Sequence, residues 1–293
     1  MSVDQRVQPA RPDLASSRLE GLVRADRYAE ALTRQTIVPI AAIRIDPARS
    51  AEQVDQLLFG ERFDLFEVRG DYGWGQAHRD GYVGWVETAA LSAALFEATH
   101  WICAPASFAF AEPSIKSPAT GPFSLNSLVS IDQTTATMAQ VNGAGWIART
   151  HLAPIGFDCL DPVDVALRCL GAPYLWGGRA AAGLDCSGLV QQALYAAGVA
   201  CPRDADQQAE LGAATTREAL RRGDLVAWPG HIGLMLDAWR LLHANAHHMA
   251  VAIEPLDEAI VRIKGNGGGE PTHYRRLTTP PIARTPRRRR RKP

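Results

Sequence analysis

A cysteine placed where a glycine-rich loop turns into an amphipathic helix constrains this chain more than any other feature. The loop is Tyr174-Leu-Trp-Gly-Gly-Arg, and the helix opens within Leu184-Asp-Cys-Ser-Gly-Leu-Val190. Leu189, Val190, Ala193, Leu194 and Ala197 recur at helical spacing, and Gly198 supplies the stop. Forty-five residues after Cys186, His231 stands in the apolar run Gly230-His-Ile-Gly-Leu-Met-Leu236, and His243 follows twelve residues later.

A free thiol is mostly protonated at neutral pH, and the thiolate is the nucleophile. A helix N-terminus favours the anion through its dipole and its unpaired backbone donors. An imidazolium at His231 would pair with the thiolate. His243 would accept from the other ring nitrogen of His231 and hold its tautomer. Backbone N–H groups at the helix start would face a developing oxyanion. Taken singly, a cysteine at a helix start or a histidine on an apolar strand is as readily structural. The joint arrangement predicts a hydrolase with a cysteine nucleophile.

At 293 residues the chain is long enough for two or three domains. Residues 1–35 read as a polar arm and a short helix, with Asp13 as N-cap before Leu14, Leu19, Leu22 and Val23. From Thr36 the pattern turns to short β-type runs, with a strand pair across Gln56–Val68 and a turn at Gly70-Asp71. Gly81-Tyr-Val-Gly-Trp-Val-Glu-Thr-Ala-Ala-Leu91 is echoed by Gly143-Ala-Gly-Trp-Ile-Ala-Arg-Thr-His-Leu152, and each Trp is followed six residues later by Leu. Such units predict two small closed barrels, with glycine beside a core aromatic, over 36–92 and, in degenerate form, 93–155.

A third unit, 156–280, starts near Asp158. Asp161-Pro162 reads as N-cap and first helical residue, and Gly171 ends that helix. Strands follow at Leu225–Trp228, His231–Leu236, Arg240–His243 and Val251–Glu254. Helices first and strands later predict an α+β domain with an antiparallel sheet.

Lys+Arg and Asp+Glu are equal at 31 each, so overall charge calls for neither nucleic acid nor membrane. Seven basic residues and no acid fall within Arg284–Pro293, and 281–293 reads as a basic, disordered tail. No run approaches the eighteen apolar residues of a membrane span, and the first residues show no secretory pattern, so a cytoplasmic location is expected. Five cysteines without a CxxC pair read as free thiols, with Cys103, Cys159, Cys169 and Cys201 as small core residues. His243, His247 and His248 have a superficial metal-ligand spacing. On a strand or loop those offsets do not share a face, and no acid or thiol is suitably spaced, so no metal or other cofactor is expected.

Tyr174-x-Trp-Gly-Gly, Asp185-Cys-Ser-Gly-Leu-Val, Pro202-Arg203, Gly223-Asp-Leu, His231-Ile-Gly and Leu242-His-Ala together resemble the NlpC-type family of cell-wall cysteine peptidases, across residues 158–277. The barrels resemble bacterial SH3-like domains. The resemblance implies a papain-like fold with Cys186 as nucleophile, His231 as general base and acid, and His243 as orienting third member, with Tyr174 beside the nucleophile. Arg203 and Gln208 fit the family's proline-arginine-x4-glutamine stretch. Asp204 stands where many members carry a small hydroxyl residue, and no role is drawn for it. Members with preceding SH3-like domains cleave between γ-D-glutamate and the diamino acid of short murein peptides, the barrel closing one end of the cleft. A free amine in that end needs an anionic partner. Asp185 is the first candidate, with Ser187 and Tyr174 beside it, and with Glu61 and Tyr82 of the first barrel. The expected reaction is release of L-Ala-γ-D-Glu during murein-peptide recycling. The rival readings are a peptide-binding scaffold with a silent third domain, and a cysteine amidase or acyltransferase acting on another substrate.

Overall fold

The computed structural model describes residues 4–157, 161–180 and 182–277. The expected basic tail, Cys159 and the start of the third unit at Asp158 lie outside the described residues.

The first β domain is a seven-stranded antiparallel sheet. Its order is Gln53–Leu58, Ile40–Arg44, Val83–Glu87, Tyr72–Ala77, Arg62–Arg69, Leu32–Thr36, Leu91–Ser92. The two runs within Gln56–Val68 are both strands, but they are not sheet neighbours. The intervening Phe59-Gly-Glu turn carries the chain across the domain. Ile43, Leu57, Phe63, Tyr82 and Val86 fill the core. Trp85 is a buried core aromatic, but strand alternation turns Val86 to the barrel core and Trp85 to the opposite face of the sheet. There it packs with Trp74 and Leu14 of the N-terminal arm, and the Arg11 guanidinium lies 4.2 Å from the Trp74 ring centroid.

That packing also explains the arm. The expected helix capped by Asp13 is instead a 3-10 turn, Ser17–Leu19, with Ser16 at its N-cap. Asp13 pairs with Arg11 and Arg69. Leu14 is fully buried on the barrel while Leu22 is exposed, so no apolar stripe remains to hold a helix.

The second β domain repeats the strand, 3-10 turn, strand ending of the first. Val83–Glu87, Thr88–Ala90 and Leu91–Ser92 correspond to Gly145–Ala148, Arg149–His151 and Leu152–Pro154. Its core, including Ile102, Phe123, Val141 and Ile147, also receives Phe59 from the first domain. Phe59 and Phe123 meet edge-on with ring centroids 5.2 Å apart.

In the third domain, Asp161 caps α1 (Pro162–Leu167), and its side chain accepts from Val163 N at 2.8 Å. Then come α2 (Cys186–Ala196), α3 (Ala205–Gln208) and α4 (Leu256–Gly265). The six-stranded antiparallel sheet has the order Ala213–Ala214, His273–Arg276, Leu225–Trp228, His231–Met235, Arg240–Asn245, Ala250–Pro255. Leu225, Ala227, Ile232 and Leu234 pack toward α2 on one face, and Val226, Trp228 and Met235 pack toward α4 on the other. The architecture is α+β: a helix-and-sheet domain behind two small β domains.

Candidate active site

Cys186 is the first residue of α2, and Asp185 is its N-cap. Asp185 Oδ1 accepts from Gly188 N at 2.7 Å, and Oδ2 accepts from Gly177 N at 2.9 Å. One carboxylate therefore ties the helix start to the glycine loop. Gly188 has to be glycine, because a Cβ there would lie 2.2 Å from Gly178 O. The Cys186 N–H belongs to the first helical turn, where the helix itself offers no acceptor, so it is available to an oxyanion.

The bases come from adjacent strands. Cys186 Sγ lies 4.0 Å from Gly230 O and against the Ile232 backbone, on either side of His231 in sequence. His231 Nε2 is 2.8 Å from His243 Nδ1. Gly233 leaves room for that contact, since a Cβ there would come within 3.0 Å of His243 Cβ. His243 is fully buried, and its Nε2 is 2.6 Å from Glu254 Oε1. Glu254 also accepts from Arg262 of α4.

Burial works against the expected thiolate–imidazolium pair. Burial pushes the Cys186 thiol up to about 12, and the Asp185 charge adds to it. Burial, then His243 and Arg262, pull His231 down to about 3. Desolvation outweighs the helix dipole. Both shifts favour the neutral thiol and the neutral imidazole, an arrangement suited to proton removal as the C–S bond forms.

Beside the thiol lies a cavity of about 300 Å³ lined by Cys186, Asp185, Ser187, Trp176, Val54, Tyr82, Asp204, Asp206 and Arg6, among others. Val54 and Tyr82 come from the first β domain and Arg6 from the arm, so neighbouring segments close one side of the cleft. The Tyr82 ring packs in its barrel core while its hydroxyl donates to Asp204 Oδ2 at 3.2 Å. Tyr174 is half-buried near Cys186, and burial, then the Cys186 and Asp185 charges, raise its phenol above the ordinary range.

Two of the expected amine ligands take other roles. Glu61 does not line this cavity. It is buried, accepting from Arg179 and Arg79 and from Leu58 N, because the turn that sends Phe59 into the second β domain aims Glu61 at the peptidase domain. Asp185 lines the cavity, but its oxygens are bound by Arg203 at 3.0 and 2.6 Å as well as by backbone. Ser187 Oγ accepts from Arg203 at 2.8 Å, and Gln208 donates to Ser187 O at 2.9 Å.

Sequence reasoning missed four further groups. Asp55, fully buried, accepts from Arg203 Nε at 2.6 Å and lies 3.2 Å from Arg179 Nε, joining the first barrel to the catalytic helix start. Asp204 and Asp206 both pair with Arg6 at the cavity edge. Glu254 lies behind His243. Only Asp204 carried a signal, as the departure from a small hydroxyl residue. His247 and His248 meet edge-on with ring centroids 4.8 Å apart, and His248 Nδ1 lies 3.0 Å from Asn245 Oδ1, while His243 is occupied on both nitrogens.

Residues 171–264 match the NlpC/P60 family, and residues 43–91 match the bacterial dipeptidyl-peptidase SH3 domain. A probable endopeptidase of Mycobacterium bovis is 34% identical over 107 residues, 36% of this chain but only 28% of that protein's length. A γ-D-glutamyl-L-lysine dipeptidyl-peptidase of Bacillus subtilis is 25% identical over 226 residues, 70% of this chain and 76% of that protein. The crystal structure of an NlpC/P60 family protein from Bacillus cereus superposes with a TM-score of 0.71 at 18% identity, covering 85% of this chain and 100% of that one, a likeness of fold. The chain therefore joins a bacterial dipeptidyl-peptidase SH3 domain to an NlpC/P60 domain, the domain of a family made of cysteine peptidases.

Proposed function

We propose that this protein hydrolyses the γ-D-glutamyl–diamino acid bond of short murein peptides that carry a free N-terminal L-Ala, releasing L-Ala-γ-D-Glu. Cys186 attacks the γ-carbonyl as His231 takes the thiol proton. The oxyanion is met by backbone N–H at the start of α2. His231 then returns the proton to the departing amine, and water hydrolyses the thioester.

The observation that carries this reading is the acid-rimmed cavity beside Cys186, closed on one side by Tyr82 and Val54 of the first β domain. A peptide threading through in both directions does not fit such an end; a short peptide with a terminal ammonium does. Arg203 already neutralises Asp185, so Asp204 and the Tyr82 hydroxyl are the groups placed to meet the ammonium. Arg6, now paired with Asp204, marks where a cation is accepted. A recycling role on released turnover peptides in the cytoplasm is part of the proposal, checked by cell fractionation.

The test is to offer purified protein the free-amine tripeptide L-Ala-γ-D-Glu-diamino acid and its N-acetylated form. Release of L-Ala-γ-D-Glu from the first, little turnover of the second, and none of either by Cys186→Ala are expected. Equal cleavage of both peptides would remove the amine pocket, and an active Cys186→Ala would remove the nucleophile.

A further inference from the structure

We propose that Glu254 is a positioning residue that sets the tautomer of the catalytic base through two imidazole rings. The inference rests on the cysteine-peptidase reading above and adds a residue and a direction of proton order to it.

The argument is one of donors and acceptors. His243 is fully buried, with Nε2 2.6 Å from Glu254 Oε1 and Nδ1 2.8 Å from His231 Nε2. An ionised carboxylate only accepts, so His243 Nε2 must carry the N–H. A neutral imidazole has one N–H, so His243 Nδ1 is left as an acceptor. His231 Nε2 must then donate to it. The lone pair of His231 is thereby placed on Nδ1, the nitrogen not bonded to His243 and the one left to take the Cys186 proton. The ordered chain is Glu254 carboxylate, His243 Nε2–H, His243 Nδ1, His231 Nε2–H, His231 Nδ1. Run in the opposite sense, it would put a proton on His231 Nδ1, and that ring could not accept from the thiol.

Two other observations support this direction. Burial works to raise the Glu254 carboxyl, but the hydrogen bond from His243 and the hydrogen bond and charge of Arg262 work against it and keep it below the ordinary carboxylate range. Burial, reinforced by Arg262 and His248, keeps His243 below the ordinary imidazole range although Glu254 favours its charged form, which works against a second ring proton. Sheet register supplies the geometry. Leu241 pairs with Glu254, so His243, two residues on, is Glu254's diagonal neighbour on the same face.

The test combines ring-nitrogen NMR of 15N-histidine-labelled protein with kinetics on the free-amine tripeptide. In the wild type, His231 and His243 are both expected as Nε2–H tautomers. Glu254→Gln presents an amide that can donate to His243 Nε2 and reverse the chain. It is expected to move His231 toward the Nδ1–H form and to lower kcat on the order of a thousandfold while KM changes little. Glu254→Asp, which keeps the carboxylate, is expected to recover both the tautomer and much of kcat. A Glu254→Gln protein that retains the His231 Nε2–H tautomer, or whose kcat stays within about threefold of wild type, would overturn the proposal. Should that variant not fold, a wild-type His231 resting as Nδ1–H overturns it alone. A wild type inert toward the tripeptide would instead remove the substrate reading, and the spectra would still decide the relay.

Discussion

Burial disfavours the charged form of both Cys186 and His231, pushing the thiol up to about 12 and, with His243 and Arg262, the imidazole down to about 3. The sign of the pH response follows. The folded His231 resists protonation until about 3, whereas an unfolded chain would protonate it through the ordinary imidazole range. Between those limits the unfolded state binds more protons, so this group's contribution to stability is complete above the ordinary imidazole value and is lost as pH falls toward the folded one. In the proposed mechanism the same shift governs catalysis, because there the neutral His231 ring is the base. The acid limb of kcat/KM is expected to have its midpoint below about pH 5, in place of the ordinary imidazole range near 6.5. A pH–rate profile with the limb at the ordinary value would show that His231 titrates as a solvated side chain. Among individual residues, the nucleophile and its two histidines were legible because spacing and apolar context mark them. Glu254 was not, since nothing in a strand that ends in an acid tells whether its side chain faces water or a buried ring.

Among the elements, α2 shows how far a pattern reaches. Its apolar face was readable, and Gly188 and the N-capping Asp185 mark its start. What the pattern could not give was the burial of its polar residues. Gln191 donates to Asp80 of the first β domain at 3.1 Å, and Gln192 receives hydrogen bonds from Asn126 of the second. Helical periodicity distinguishes apolar from polar, whereas burial of the polar face is decided by domains far away in sequence. Helix α4 has the opposite history. Leu256, Ala259, Ile260 and Ile263 form a regular stripe that was readable and went unassigned. In the arm, local propensity suggested a helix, and docking of Leu14 and Arg11 on Trp74 and Trp85 decided otherwise. The repeat of the two β domains was legible at its Gly-Trp step, but which face the Trp takes depends on strand alternation relative to a core that no single copy reveals.

For the whole molecule, the first β domain is part of the catalytic construction. It sends Phe59 into the second domain's core, and its Asp55 lies between the buried Arg179 and Arg203 of the peptidase domain. Arg203 in turn binds Asp185 and Ser187, the residues flanking the nucleophile. Removing the acid takes one carboxylate from two buried guanidinium groups, leaving Arg179 with Glu61 and Arg203 with Asp185, and breaking a buried pair costs far more than breaking a surface one. Asp55→Asn is therefore expected to lose about 3–5 kcal/mol, read from the urea midpoint, and to lower kcat/KM as Asp185 and Ser187 lose their fixed placement. A variant as stable and as active as wild type would show that the two domains are joined by other contacts.

The central claim, a cysteine peptidase that passes through an acyl-enzyme on Cys186, is tested most directly by acid-quenching the protein during turnover of the free-amine tripeptide and mapping its mass. The account expects a thioester-linked L-Ala-γ-D-Glu adduct on the peptide containing Cys186, absent with the N-acetylated substrate. Product released at the same rate with no adduct on Cys186 in rapid-quench samples, or an adduct on another residue, would contradict it.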